Sequence, residues 1–96
     1  MVVDLEKKGQ KNYRKLPEKV RLLMNEKIDR IAQAESFDEV RFIEGRLKGS
    51  PDRYKIRQGD YRIILKKVTE QQVIITSIRH RRDVYDKLYS LLLSMP

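Results

Sequence analysis

The sequence has no cysteine, no tryptophan and a single histidine among its 96 residues. Without thiols it can form neither a disulfide nor a thiolate metal site. One imidazole cannot ligate a metal alone, so no metal and no other cofactor is expected. Long apolar runs are absent too, and nothing approaches the roughly 18 residues of a membrane span. The opening MVVDLEKKGQ lacks the apolar stretch of a secretory signal. A cytoplasmic protein without membrane contact is therefore expected. Acidic residues are scarce relative to basic ones, 14 against 22, which leaves a net charge of +8 and a pI near 9.9. Such a balance says little about fold, but it favours polyanionic partners such as nucleic acid, a ribosome or an acidic protein.

The apolar content of 40% suffices for one small core, and the length predicts one domain over residues 1–96. Val2, Val3 and Leu5 predict a short opening strand. Residues 7–15 are polar and basic, with Tyr13 and Leu16 as apolar anchors, and predict a short helix. Pro17 suits the first turn of a longer one. Val20, Leu23, Met24, Ile28 and Ile31 form a helical stripe running to about Ala34, so two antiparallel helices form a hairpin. SFDE at 36–39 matches a capping box and predicts one helical turn. LKGSPDR at 47–53 predicts a turn. Three strands follow, over residues 54–57, 60–67 and 72–79. QGD between the first two is a tight-hairpin signal. Asp83 is placed to cap a terminal helix carrying Val84, Leu88, Leu91, Leu92 and Met95. Tyr89 and Leu93 lie off that stripe. The order predicts an α+β fold: an N-terminal strand, a helical hairpin, a mostly antiparallel sheet with the helices on one face, and a C-terminal helix.

Two clusters concentrate the charge. In YKIRQGDYRI, residues 54–63, cations alternate with apolar residues. Alternation in a strand sends Tyr54, Ile56, Tyr61, Ile63 and Leu65 to the core and Lys55, Arg57, Arg62 and Lys66 to the other face. A two-residue loop, either Gln58-Gly59 or Gly59-Asp60, keeps these cations on one side, whereas a three-residue loop separates them. Opposed like charges cost roughly 0.2–1 kcal/mol per pair. The plain alternative is a solvated face, with Asp60 neutralising Arg57 across the turn. The second cluster is RHRRDVY, residues 79–85, where the last strand hands over to the last helix. Exposed backbone N–H groups and the helix dipole favour anions at such a place. Tyr85 there serves equally as a stacking ring or as packing against Tyr89. His80 is a lone proton carrier at most.

LKGSPDRYKIRQGDYRIILKK followed by RHRRDVYDKL resembles the RelE/ParE superfamily, the small basic toxins of bacterial type II toxin–antitoxin systems. The motifs lie in residues 46–88, and the resemblance extends over nearly the whole chain. It implies the same α+β fold and one of two targets. RelE-type members cut mRNA in the ribosomal A site, while ParE-type members inhibit DNA gyrase without nuclease residues. For the RelE type, the resemblance implies a metal-independent endoribonuclease with Lys55, Arg57, Arg62, Arg81 and Tyr85 as its catalytic set, Arg82 being the alternative to Arg81. Lys48, Lys66, Arg79, His80 and Arg82 complete the expected RNA-contacting residues. The chain departs from the pattern in three places, one of them an amino-terminal strand that looks short. Arg57 stands where the best-known members have lysine, a candidate general base, and arginine is a poor base. Gly9 stands where alanine is usual. The expected partners are a cognate antitoxin, the ribosome and mRNA, with gyrase as the alternative target. A third reading is a non-catalytic RNA- or ribosome-binding module.

Overall fold

The computed structural model describes residues 1–82. Their elements run β1 (Val2–Leu5), α1 (Lys7–Arg14), α2 (Glu18–Gln33), a 3-10 turn (Phe37–Glu39), β2 (Ile43–Arg46), β3 (Arg53–Gln58), β4 (Tyr61–Thr69) and β5 (Gln72–His80). The five strands form one sheet in the order β1-β5-β4-β3-β2. β1 pairs parallel with β5, while the other three pairings are antiparallel. The α+β expectation is met. The expected terminal helix lies outside the described residues.

The core forms where the apolar parity of the strands meets the helices. Ile56, Ile63, Leu65, Val73, Ile75 and Ile78 cluster with Met24 and Ile31 of α2, and with Leu16 and Phe37. Met24, Ile31, Ile56 and Ile63 are wholly shielded from solvent. Burying a side chain of this size stabilises the fold by about 1.5–3 kcal/mol. The helices thus cover one face of the sheet. Leu23, expected in the helical stripe, is instead 47% exposed, because it falls outside the arc that Val20, Met24, Ile28 and Ile31 turn to the core.

The helical hairpin turns at Lys15–Pro17, and the Tyr13 hydroxyl donates to Asn25 Oδ1 across it. The capping box is not formed as expected. Ser36 makes no side-chain cap, and the Glu39 carboxylate accepts from the Glu35 N–H instead, at 3.0 Å. The sequence reading assigned no strand to residues 40–46, where β2 forms the sheet edge beyond β3.

α1 lies unusually close to β5. A Cβ on Gly9 would stand 2.7 Å from the carbonyl oxygen of Ile75, so the glycine sets the distance of approach. One turn on, Asn12 Oδ1 accepts from the Ile78 N–H at 3.1 Å. That bond sits beside a bulge in β5. Ile64 pairs with Ser77 and Leu65 with Ile75, which leaves Thr76 as the extra residue. The Thr76 hydroxyl donates to the Ile64 carbonyl, 3.2 Å away.

Candidate functional site

The sheet face away from the helices carries the cations. The loop joining β3 to β4 is Gly59-Asp60, since Gln58 pairs with Tyr61. Gly59 has φ +59 and, among the described residues, no non-glycine residue has positive φ, as a type II′ hairpin requires. The two-residue loop keeps Lys55, Arg57, Arg62 and Lys66 on one side. Arg57 then pairs with Arg62, and Arg62 with Arg79 of β5. Three guanidinium-bearing residues therefore stand in one row across three neighbouring strands, spanning about 10 Å at the usual strand spacing. Lys55, beside Ile64 and Ser77, lies in the next row of this face, and Arg53 with Lys66 in the one beyond.

Arg79 reaches this face only because of the bulge. Val73 and Ile75 point to the core, and strict alternation would send Arg79 there as well. The extra residue Thr76 shifts the parity, so that Ile78 rejoins the core and Arg79 emerges beside Arg62.

A second bulge introduces a residue that sequence reasoning missed. On β2, Ile43 pairs with Ile56 and Gly45 with Lys55, leaving Glu44 as the extra residue. Its carboxylate sits 3.0 Å from Arg62 Nε, in an ion pair that crosses β3. The Arg62 side chain is only 17% exposed. Arg62 also donates to the Tyr61 carbonyl at 3.2 Å, so it is fixed at both ends of its guanidinium. The only available signal for Glu44 was an isolated acid before the Gly45-Arg46 pair, which carries no periodicity.

The remaining expected residues are dispersed. Arg81 belongs to the hairpin tip: its N–H donates to the Asp60 carbonyl at 2.7 Å and its guanidinium lies 4.0 Å from the Asp60 carboxylate. Asp60 therefore faces Arg81 and not Arg57, which donates weakly to the Gly59 carbonyl at 3.4 Å. His80 pairs with Tyr61, edge-on to its ring at 5.1 Å. Alternation places both on the helix side, opposite Arg79. His80 Nδ1 accepts from the Arg82 N–H at 3.2 Å. Lys66 lies 3.9 Å from Asp52. Lys48 is in the turn after β2, beyond the end of β3 farther from Arg57. Tyr85 lies outside the described residues. Among the described residues, no cluster of His, Cys, Asp or Glu is placed to hold a metal, and no helix is long and apolar enough to cross a membrane.

Chemically, the face offers fixed positive charge to a chain of phosphates, with the Glu44 carboxylate held against the arginine row. Comparison with known proteins bears on the family and the fold. The family model described as the ParE toxin of the type II toxin–antitoxin system parDE matches residues 3–85. The RelE chain of a RelB–RelE antitoxin–toxin complex from Methanococcus jannaschii superposes with a TM-score of 0.70 at 24% identity, over 88% of this chain and 96% of that one. The isolated Escherichia coli RelE toxin gives 0.66 at 25%, over 95% and 97%. The archaeal RelE–RelB complex from Pyrococcus horikoshii gives 0.64 at 24%, over 83% and 93%. No curated protein sequence matches significantly. The chain belongs to the RelE/ParE superfamily, the toxins of type II toxin–antitoxin systems.

Proposed function

We propose that this toxin is a ribosome-dependent mRNA endonuclease. The observation that carries the reading is the cross-strand row of Arg57, Arg62 and Arg79 on the open face of the sheet. A gyrase-binding surface needs no such alignment, whereas a phosphoryl-transfer centre does. The ribose 2′-oxygen attacks the adjacent phosphorus in line. The O2′–P bond forms, the P–O5′ bond breaks, and a proton passes from the 2′-hydroxyl to the 5′-oxygen by way of the site. Negative charge accumulates on the phosphoryl oxygens, and preorganised guanidinium groups stabilise it most strongly at that moment.

In this reading Arg62 is the central contact, pre-set by Glu44 and the Tyr61 carbonyl. Arg57, Arg79 and Lys55 flank it on the phosphates. Arg81 stabilises the leaving oxygen, and Tyr85 orients or stacks on the nucleotide. Arginines are poor bases, so the carboxylate of Glu44, held against the row, is the group suited to accept the 2′-hydroxyl proton. The partner is a cognate antitoxin. The M. jannaschii and P. horikoshii relatives are each seen in complex with a RelB antitoxin.

The test is primer extension on a defined mRNA with and without translating ribosomes. New 3′ ends within A-site codons, dependent on ribosomes, are expected. Arg62→Ala should lower the cleavage rate by roughly 10²–10³-fold with little change in melting temperature. Undiminished cutting by Arg62→Ala would remove the assignment. The gyrase reading is favoured by the match to a ParE family model and by Arg57 in place of lysine. Inhibition of supercoiling with no ribosome-dependent cleavage would establish it.

A further inference from the structure

His80 stands on the far side of the sheet from the arginine row, and its hydrogen bond and ring contact serve the chain that follows it. Its ring meets the Tyr61 ring edge-on at 5.1 Å, across the β4–β5 pairing of the two residues. Its Nδ1 accepts from the Arg82 N–H at 3.2 Å, which puts the ring proton of the neutral imidazole on Nε2. Between His80 and Arg82 lies Arg81, whose N–H donates to the Asp60 carbonyl at 2.7 Å. The chain leaving β5 is thereby tied down beside the β3–β4 hairpin. The ion pair of Arg81 with Asp60 adds little to this, being 4.0 Å long and more than half exposed on both sides.

The bond to Arg82 is of the kind a capping side chain makes, an acceptor reaching the N–H two residues on. The usual capping groups are hydroxyl, amide or carboxylate oxygens, which accept throughout the neutral range. An imidazole accepts only while uncharged, because the imidazolium is a donor at both nitrogens. It is also the side chain whose ordinary titration falls between about pH 5 and 8. The charged and titratable groups around His80 come from three places. Asp60 and Tyr61 belong to the hairpin, and Arg79, Arg81 and Arg82 to its own segment. Tyr13, Arg14 and Lys15 lie where α1 ends, past its Asn12 bond to Ile78. Proton uptake adds one more cation to this group and turns the Nδ1 lone pair into a donor facing the Arg82 N–H. Attraction is then replaced by repulsion.

We propose that His80 is a positioning residue for Arg81, and that it holds Arg81 at the hairpin only in its neutral form. The proposal rests on the ribosomal reading above, in which Arg81 stabilises the leaving 5′-oxygen. His80 itself touches neither the RNA nor the reacting atoms. It acts by fixing the backbone on both sides of Arg81, so that a half-exposed guanidinium starts from a defined place. A proton on the imidazole releases Arg82, and the Arg81 backbone then hangs on its one bond to the Asp60 carbonyl. Cleavage therefore weakens as the imidazole takes up its proton.

The experiment follows the free toxin and the cutting reaction from about pH 8 to about pH 5, in wild type, His80→Asn and His80→Phe. Asparagine supplies a capping oxygen that does not titrate. Phenylalanine keeps a ring against Tyr61 but has no acceptor. Circular dichroism melts confirm that both variants fold. In the wild-type NMR spectrum, the Arg82 amide proton should shift and exchange faster with the same midpoint as the His80 ring protons. In His80→Asn it should stay in place. On translating ribosomes at neutral pH, His80→Phe should cut mRNA roughly 10–100-fold more slowly than wild type, and His80→Asn at nearly the wild-type rate. The ratio of wild type to His80→Asn removes the pH response of the ribosomes themselves, and it should fall toward acid. An Arg82 amide that ignores the imidazole titration overturns the proposal. So does a level ratio across the range, or undiminished cutting by His80→Phe. Failure of the mRNA-cleavage reading appears separately, as wild-type protein whose Arg82 amide follows the imidazole but which does not cut mRNA at any pH.

Discussion

Gly9 shows how one missing methyl group sets the architecture. Alanine is the better helix former, yet here a Cβ would meet the Ile75 carbonyl at 2.7 Å. Backbone cannot swing aside as a flexible side chain does, so α1 would have to lift off β5. Gly9→Ala improves helix propensity by about 0.8–1 kcal/mol, but overpacking costs about 1–3 kcal/mol. Net destabilisation is expected, and urea unfolding of the two proteins measures it. Arg62 and Glu44 belong to the same scale. The sequence placed Arg62 on the open face correctly by alternation alone. It could not reveal Glu44, because a bulge residue obeys no period.

At the scale of the element, β5 decides the composition of the site. Its stretch from Ile75 to Ile78 is buried throughout, which a regular half-buried strand cannot achieve. Thr76 is the surplus residue, and its presence turns Arg79 from the core to the open face. Asn12 secures the arrangement from outside by accepting the Ile78 N–H. Asn12→Ala leaves that part-buried donor without its partner, at a cost of about 1–3 kcal/mol. Faster hydrogen exchange at the Ile78 amide than at Val73 is the expected signature. Unchanged exchange would mean that water replaces the asparagine. The hairpin between β3 and β4 was far more legible. Gly59 next to an acid, flanked by alternating residues, admitted only short loops, and both two-residue alternatives put the cations on one side.

For the molecule as a whole, the sheet separates two kinds of chemistry. One face is apolar and covered by helices, and the other bears the arginine row. An ion pair spans the β4–β5 turn. The Lys67 ammonium bonds to the Glu70 carboxylate and lies 4.9 Å from the centroid of the Phe37 ring. The hydrogen bond to Glu70 raises the Lys67 pKa, and the same bond lowers that of Glu70. A lowered carboxylate contributes stability that is complete above its ordinary value near 4.5 and disappears as pH falls through the lower folded value. A raised ammonium contributes fully below 10.5 and loses its contribution as pH climbs through the higher folded value. The melting-temperature gap between wild type and Glu70→Gln should therefore be level across the neutral range and close at strongly acidic pH. A gap that persists there would show that the pair acts through packing and not through charge.

Local pattern was enough to establish the basic character of the chain, the two N-terminal helices, the β3–β4 hairpin and the face on which Lys55, Arg57, Arg62 and Lys66 stand. These follow from periodicity and turn chemistry, which act over a few neighbouring residues. The parallel pairing of β1 with β5, the edge strand β2, the parity shift at Thr76 and the ion pair between Glu44 and Arg62 were set by folding. Each joins residues distant in the chain, or depends on an extra residue that breaks the period, and neither leaves a trace in local sequence spacing.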